Sequence, residues 1–453
     1  MRCEESIIVI GGGASGMMAA GRAAEMGANV ILLEGTGKLG QKILVSGKTR
    51  CNLTNSRDMD HFISMYGPNG CFLHGAFYRF FREDLVSFLE HYGVETKVER
   101  GGRVFPVSDR AEDVVNAFKK YLMDNHVEIC RHSRVKGIET RNKNVTGVLT
   151  ADGRRQAGAV ILAAGGATYP ATGSSGEGYA MAATLGHTIV PLRPALVPLV
   201  VEEIRYARSM QGVSLRNVRL TAFQCRADKI DPSLVPNTDI GRGTGNRRPR
   251  RPIIESRMGE MMITHFGIGG PVTLLMSLSI VDALKQGPVS VSIDIKAALD
   301  RKQLSMRLQR DFDRFSKRRF RSIISGLVPA KMVDPIVLMT GITPDKYGCQ
   351  VSAAERERVV DSLKSLRFNI KESLPMSSAI VTAGGVSLKE IDPRTMASQK
   401  IKGLYFCGEV IDIDADTGGY NLQAAFSTGY LAGESATAYV NSKKPLLNCS
   451  MDM

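Results

Sequence analysis

The sequence predicts an α/β protein built on a buried parallel sheet that insertions interrupt, and three observations predict it. A short apolar run, Ile7-Ile8-Val9-Ile10, leads directly into Gly11-x-Gly13-x-x-Gly16. A second such run, Asn29-Val30-Ile31-Leu32-Leu33, closes on Glu34, 18 positions after Gly16. After a long stretch of different texture, Ala379-Ile380-Val381-Thr382-Ala383 and Gly403-Leu404-Tyr405-Phe406-Cys407 return to the opening style.

Residues 7–10 are too few for a helix and, bounded by glycines, read as a buried parallel strand. Residues 14–26, rich in Ala and Met, form the next helix, Gly27-Ala28 ends it, and residues 29–33 complete a βαβ unit. Beyond a basic, glycine-containing loop over 35–55, Phe77, Phe80, Phe81, Leu85, Phe88 and Leu89 recur at helical spacing and predict one helix over 77–92. Another amphipathic helix covers 112–125. Short alternating runs fill 127–150, the turn Asp152-Gly153 comes next, and residues 159–163 return to a buried strand.

From 196 to 295 the pattern is strand-like. Val289, Val291, Ile293 and Ile295 alternate with polar residues, which reads as part of a β-rich inserted domain. Leu304, Leu308, Phe312 and Phe315 share one face of a helix over 301–321, and 331–373 also reads as helical. The expected division is a split first domain over 1–190 and 375–445, a β-rich inserted domain over 191–295 with part of the adjoining segment, and a small helical subdomain over 296–374.

Composition narrows the function classes. The 453 residues are 43% hydrophobic and 23% charged, which excludes a disordered, collagen-like or coiled-coil protein. Lys and Arg number 59 against 45 Asp and Glu, a formal net charge of +14 that attracts anions and keeps nucleic acid open as a partner. The eight cysteines form no CxxC, CxxxxC or Cys/His cluster, so neither a zinc site nor a redox dithiol is signalled and a reducing cytoplasm fits. The start lacks the basic residues and cleavage site of a signal peptide, so the expected location is cytoplasmic. Residues 261–281 carry no Asp, Glu, Lys or Arg over 21 positions. Gly269-Gly270-Pro271 at their centre would break a spanning helix, so they read as core and no membrane span is expected.

The chemistry sits in the glycines and three later motifs. Gly11 allows a tight turn, Gly13 removes a side chain that would block a pyrophosphate, and Gly16 lets the helix approach the sheet. The helix N-terminus offers free N–H groups and partial positive charge to phosphates. Glu34 can accept hydrogen bonds from ribose hydroxyls, which favours FAD or NAD over NADP. The strand Val160-Ile161-Leu162 ends in the small residues Ala163, Ala164 and Gly165, so a dinucleotide can pass close by. Gly408-Glu409 is placed to bond a ribityl chain. The turn Gly418-Gly419 then opens a helix at Tyr420, Asn421 and Leu422, whose N–H groups suit a flavin edge.

At these residues the chain resembles a known family, the BaiN-like NAD(P)/FAD-dependent oxidoreductases, which includes bile-acid and steroid ene-reductases and proteins described as aminoacetone oxidases. Besides Gly11 to Gly16, the resemblance rests on Gly40-Gln41-Lys42-Ile43-Leu44-Val45-Ser46-Gly47, Arg50-Cys51-Asn52-Leu53-Thr54-Asn55 and Tyr169-Pro170-Ala171-Thr172-Gly173-Ser174. Thr264-His265-Phe266-Gly267-Ile268-Gly269-Gly270-Pro271, Thr382-Ala383-Gly384-Gly385-Val386 and Gly418-Gly419-Tyr420-Asn421-Leu422-Gln423 complete it. It covers most of the chain. It implies non-covalent FAD in a Rossmann-type FAD-binding domain of the two-dinucleotide-binding class, with inserted β-rich and helical domains. The implied cofactor contacts are Gly11, Gly13, Ala14, Ser15, Gly16, Glu34, Lys42, Ser46, Gly47, Arg50, Cys51, Asn52, Val135, Ala163, Ala164, Gly165, Gly408, Glu409, Gly419, Tyr420, Asn421 and Leu422.

Three places depart from the family pattern near that site. Lys48-Thr49 stand where at least one glycine is usual, Ala415 replaces a glycine, and Ala424 stands where an aromatic is common. The arginine-rich segment 242–251 is longer and more basic than expected.

Tyr420, Tyr169 and His265 are the candidate proton donors, and Arg50 is the fourth candidate catalytic residue. The reaction expected is NAD(P)H-driven reduction of a C=C bond conjugated to a carbonyl in a steroid- or bile-acid-like substrate. No second strand–GxGxxG–helix unit serves NADH or NADPH, since Gly173, Gly176 and Gly178 lack that context. A flavin amine oxidase releasing peroxide is one alternative, and an RNA-interacting flavoprotein is another.

Overall fold

The structure, a computed structural model, describes residues 6–241 and 251–443. The chain divides into two compact units, Met1–Arg193 with Ile380–Met453, and Pro194–Ala379. In chain order the first unit contributes β1 (Ser6–Ile10), α1 (Ala14–Glu25), β2 (Asn29–Leu33), α2 (Met59–Met65), α3 (His74–Arg79), α4 (Arg82–His91), α5 (Ala111–Asp124), β3 (Glu128–Cys130) and β4 (Ala159–Leu162). The second contributes β5 (Leu199–Val201), β6 (Ser214–Phe223), β7 (Ile253–Ile263), β8 (Gly267–Gly269), α6 (Pro271–Leu284), β9 (Val289–Asp294), α7 (Arg301–Arg314), α8 (Ala330–Thr340), α9 (Ala353–Lys364) and β10 (Leu366–Ser373). The chain then returns to the first unit with β11 (Leu404–Phe406) and α10 (Tyr420–Ser442).

The first unit is built on a five-stranded sheet in the order β11-β4-β1-β2-β3, parallel throughout. All five residues of β1 are buried, which is why its sequence is apolar on both faces. The chain goes from β1 through α1 to β2 on one side, while β4 flanks β1 on the other. This places a topological switch point, the usual ligand crevice of such sheets, at the carboxyl end of β1. Gly16 is required there, since a Cβ on it would stand 1.8 Å from the carbonyl oxygen of Gly11.

The second unit is a closed antiparallel barrel in the order β5-β8-β7-β6-β9-β10. Leu304, Leu308 and Phe312 of α7 join Val291 and Ile293 of β9 and Phe368 and Ile370 of β10 in one hydrophobic core, so barrel and helices stabilise each other.

The structure corrects three local expectations. Residues 77–92 do not form one helix: the backbone is extended at Phe80, whose carbonyl accepts from Ser427 Oγ at 2.6 Å. The Asp84 carboxylate then starts α4 by accepting from the Phe81 N–H at 2.7 Å. The helix expected to 321 stops at Arg314. The stretch expected to be helical to 373 ends as the barrel strand β10, because its alternating Leu366, Phe368 and Ile370 complete the core. Strand β9 is buried on both faces, with Ser290 Oγ bonded to the Cys225 carbonyl at 2.7 Å and Ser292 Oγ to Ser365 Oγ at 2.8 Å.

Residues 261–281 fold as the end of β7, then β8, then α6 entered through Gly270-Pro271. Among the described residues no helix is long and apolar enough to cross a membrane. Of the arginine-rich segment, Arg242, Arg247, Arg248 and Arg250 lie outside the described residues; Arg251 is exposed.

Candidate functional site

At the carboxyl end of β1, the turn Gly11 to Gly13 presents an open cradle. A Cβ added at Gly13 meets no atom within 4 Å, although Gly13 caps the first turn of α1. Ala14 is half-buried and Ser15 buried. The Gly12 N–H donates to Glu34 Oε2 at 2.7 Å, and Glu34 Oε1 accepts from Thr36 N at 2.7 Å and Thr36 Oγ1 at 2.6 Å. A carboxylate offers about four lone-pair sites, so one on Oε2 is left for a ribose hydroxyl. Val135 is buried at the start of the neighbouring strand Val135–Arg141. Ala163 is buried, while Ala164 and Gly165 are half-buried beyond β4.

Lys42 ties the segment after β2 to the other end of the unit. Its Nζ donates to Glu409 Oε2 at 2.5 Å and to Thr168 Oγ1 at 2.7 Å, and lies 6.0 Å from the Tyr169 ring centre. Glu409 Oε1 in turn accepts from the Thr382 N–H at 2.8 Å. Three segments far apart in sequence are thereby joined at one carboxylate. Gly408 fits with φ +72°, its N–H donating to Thr428 Oγ1 at 3.0 Å.

The loop from Ser46 to Asn52 places four of its residues in the left-handed region. Ser46 Oγ closes the preceding turn on the Ile43 carbonyl at 2.7 Å. Gly47, Lys48, Thr49 and Cys51 all have φ between 55° and 68°. Lys48 and Thr49 thus occupy, without being glycine, a conformation that costs L-residues energy. Arg50 is held by carboxylates: it donates to Asp109 Oδ1 through Nε at 2.9 Å and Nη2 at 2.7 Å, contacts Glu99, and lies 4.3 Å from the Phe105 ring centre. Cys51 is fully buried, and burial pushes its thiol up to about 12. It is a neutral packing residue rather than a thiolate. Asn52, its amide oriented to satisfy both neighbours, accepts from Gly419 N at 3.0 Å and donates to the Thr54 carbonyl at 3.2 Å.

Asn52 thereby meets the entry to α10. Gly419 has φ +98°, and a Cβ there would stand 2.3 Å from the Thr54 carbonyl oxygen, so only glycine fits. Asn55 Nδ2 bonds the Gly418 carbonyl at 2.9 Å, and Asn421 spans the turn by accepting from Ala415 N at 2.9 Å and donating to its carbonyl at 2.8 Å. Leu422 is half-buried beside them. Tyr420 opens the helix with its ring edge-on to Phe62 at 4.8 Å and its hydroxyl 3.1 Å from His61 Nε2. Burial pushes the phenol up to about 12. Burial, reinforced by Arg57 and opposed by Asp58, holds His61 below the ordinary imidazole range.

Three of the four expected catalytic residues, Tyr420, Tyr169 and Arg50, belong to the first unit, as the glycine turn does. His265 belongs to the second unit, on the turn between β7 and β8, and is exposed against Phe266 rather than a core histidine. Ala424 is buried in the core of the first unit. Sequence reading missed His61, Thr168, Thr382 and the Asp109–Glu99 pair. Asp58, the N-cap of α2, was the only local sign that His61 sits in a helical turn.

These residues fit a dinucleotide flavin. Among the described residues the Gly13 cradle is open, one Glu34 site is free, and Thr54 Oγ1 beside Gly419 is buried without a hydrogen-bond partner. Among the described residues no group of three or more His, Cys, Asp or Glu is placed to hold a metal.

A family profile described as "HI0933-like protein Rossmann domain" matches residues 5–435. The chain is 33% identical over 433 residues to a 3-dehydro-bile acid delta(4,6)-reductase of Clostridium scindens, covering 94% of this chain and 98% of that protein. It is 28% identical over 428 residues to a ribosomal RNA dihydrouridine synthase of Haemophilus influenzae, covering 93% and 96%. Among solved structures, 3-ketosteroid delta1-dehydrogenase from Sterolibacterium denitrificans aligns with 13% identity and a TM-score of 0.48, covering 96% of this chain and 99% of that one.

Proposed function

This chain belongs to the HI0933-like protein Rossmann domain family and is an FAD-dependent oxidoreductase, and on that premise we propose that it uses NADH or NADPH to reduce a C=C bond conjugated to a carbonyl in a steroid- or bile-acid-like substrate. The names of its relatives support the reaction class. A 3-dehydro-bile acid with unsaturation at positions 4 and 6 is a conjugated ketone, and dihydrouridine differs from uridine by saturation of a ring bond conjugated to a carbonyl.

Gly11, Gly13 and the first N–H groups of α1 would hold the pyrophosphate, Glu34 a ribose hydroxyl, Glu409 with Lys42 the ribityl chain, and the entry to α10 the flavin ring. FAD bound there supplies two-electron hydride transfer. In the net reaction the nicotinamide loses hydride, the β-carbon of the acceptor gains it, and the α-carbon takes a proton. The residues of this chain supply that proton and polarise the carbonyl.

The observation that carries the reading is the start of α10. Tyr420 is neutral at physiological pH, adjoins the positive end of the helix, and is hydrogen-bonded to a half-buried histidine. A neutral phenol in that position can protonate carbon, a contribution typically worth ~10²–10⁴-fold. Tyr169, beside Lys42, is the second donor in reach of the same unit.

The test is the visible spectrum of the purified holoprotein under anaerobic conditions, titrated with NADH and NADPH and then offered an enone steroid, an amine or air. Bleaching by nicotinamide with faster reoxidation by the enone than by oxygen supports the proposal. Peroxide formed with amine substrate would replace it with an amine oxidase. A flavin that neither nicotinamide bleaches would refute the proposed donor.

A further inference from the structure

Residues 58–66 form one side of the setting of Tyr420. Asp58 starts α2 by accepting from the His61 N–H at 2.9 Å, and the turns that follow bring His61, Phe62 and Tyr66 to the entry of α10. Phe62 meets the Tyr420 ring edge-on at 4.8 Å and itself packs edge-on against Phe77 and Phe81, at 5.7 and 4.9 Å. The fully buried Tyr66 donates from its hydroxyl to the Tyr420 carbonyl at 2.7 Å. Gly418 leaves room for the ring on another side, since a Cβ there would stand 2.7 Å from Tyr420 Cε2. Packing thus fixes the phenol ring but not the direction of its hydroxyl hydrogen.

His61 decides that direction. Its Nε2 lies 3.1 Å from the Tyr420 hydroxyl, with the two rings tilted by 47°, and among the described residues it is the hydroxyl's only hydrogen-bond partner. Nδ1, on the other side of the imidazole, has no partner among the described residues, and the ring is half-buried. Burial, reinforced by Arg57 and opposed by Asp58, keeps the ring neutral at physiological pH. A neutral imidazole has one N–H and one acceptor nitrogen. With the proton on Nδ1, that N–H faces no protein acceptor and the phenol commits its single hydrogen to Nε2. With the proton on Nε2, the ring donates to the phenol oxygen, Nδ1 accepts from solvent, and the phenol hydrogen is left for another acceptor.

We infer that His61 is a positioning residue for proton transfer by Tyr420, donating from Nε2 to the phenol oxygen so that the phenol's own hydrogen is turned to the substrate. The inference rests on the reaction proposed above and adds a residue to it. As the acceptor takes its proton, the Tyr420 O–H bond breaks, a C–H bond forms at the α-carbon, and the phenolate keeps the electron pair. The Nε2–H then bonds a charged oxygen, which makes that bond about twice as strong, and a proton from water restores the phenol. A bond that strengthens during the transfer lowers its barrier instead of only holding the ground state.

The test has two readouts. In FAD-loaded protein labelled with ¹⁵N-histidine, ¹H–¹⁵N correlation spectra at neutral pH report which ring nitrogen carries the proton, and the signal missing from His61→Gln identifies His61. Nε2 should be protonated and Nδ1 bare; a proton on Nδ1, or a doubly protonated ring, overturns the inference. The second readout is stopped-flow reoxidation of the reduced flavin by an enone steroid. His61→Leu should slow it about tenfold or more, the worth of one hydrogen bond to a charged group, with the enone concentration for half-maximal rate within about twofold of the parent and reduction by nicotinamide unchanged. His61→Gln, whose amide can still donate, should recover most of the rate. Added to Tyr420→Phe, His61→Leu should cause no further loss, because it acts through the phenol. Equal losses in the Leu and Gln variants, a Leu loss that adds in full to that of Tyr420→Phe, or a parent-like His61→Leu each overturn the inference, and the proposed reaction stands as long as Tyr420→Phe is slow. Tyr420→Phe as fast as the parent, or no reoxidation by any enone, refutes the donor or the reaction and the inference with it.

Discussion

With FAD in the proposed site, replacing Gly13 with alanine should cost cofactor affinity while leaving folding intact. Gly13 has φ −80° and ψ −168°, which alanine adopts without strain, and nothing lies within 4 Å of the added methyl. Alanine lowers the entropy of the unfolded chain, worth about 0.4–1 kcal/mol, and caps a helix less well than glycine by a similar amount. The stability of the apoprotein should therefore stay within about 0.5 kcal/mol. The methyl nevertheless fills space that the proposed pyrophosphate site needs beside the first turn of α1. Losing one or two charge-assisted hydrogen bonds of about 1.5–3 kcal/mol each, partly regained by relaxation, leaves a deficit of about 2–4 kcal/mol. That is a Kd for FAD raised roughly 30- to 700-fold, since 1.4 kcal/mol is tenfold. Titrating apoprotein with FAD by quenching of flavin fluorescence measures the affinity, and urea unfolding of the apoprotein measures the stability. Flavin affinity within about threefold of the parent, or an apoprotein weaker by more than about 1.5 kcal/mol, would refute the assignment of the cradle. Gly16→Ala is the contrasting case: its Cβ stands 1.8 Å from a backbone oxygen, so it should destabilise the apoprotein itself by about 1–3 kcal/mol or more.

Other consequences are open to measurement. Tyr420→Phe should slow reoxidation of reduced flavin by an enone about 10²-fold or more while leaving reduction by nicotinamide unchanged, as stopped-flow absorbance would show; equal effects on both half-reactions count against Tyr420 as the proton donor. Burial holds Cys51 and Cys407 at about 12, above the 9.0 of an exposed thiol, so the unfolded chain loses these protons first as pH rises. Their contribution is complete below about pH 9 and falls by about 1.4 kcal/mol per pH unit per thiol up to about pH 12; urea unfolding at two alkaline pH values should show a weaker pH dependence in Cys51→Ala with Cys407→Ala. Lys48→Gly and Thr49→Gly each relieve about 1–2 kcal/mol of left-handed strain against the roughly 0.5–1 kcal/mol entropic cost of glycine, for a net gain of about 0.5–1 kcal/mol in denaturant midpoint analysis. A loss of stability in either variant would show that the loop is not strained there.

The first strand, the glycine turn, the first helix and Glu34 were legible because each depends on neighbours in the chain: an apolar run buried on both faces, a turn without side chains, a carboxylate at a strand end. The return of the sheet at β11 was legible for the same reason. Residues 77–92 were not, because helical spacing of phenylalanines is the same whether one helix or two carry them, and the break is made by Ser427, 347 positions away from Phe80. Strand β10 was misread because Leu366, Phe368 and Ile370 find their partners in β5 and β9, not along the chain. Exposure of His265 and burial of Cys51 are likewise properties of the packed molecule.

Sequence by itself thus determined the local chemistry, a glycine turn open at the start of a helix and a carboxylate at a strand end, since glycine spacing and strand ends are local facts. Tertiary structure decided which groups act together. It brought Lys42, Thr168 and Thr382 to Glu409, turned Arg50 onto Asp109, and placed His61 against Tyr420. Hydrogen bonds act over about 3 Å of space irrespective of sequence distance, so only the fold could set those pairings.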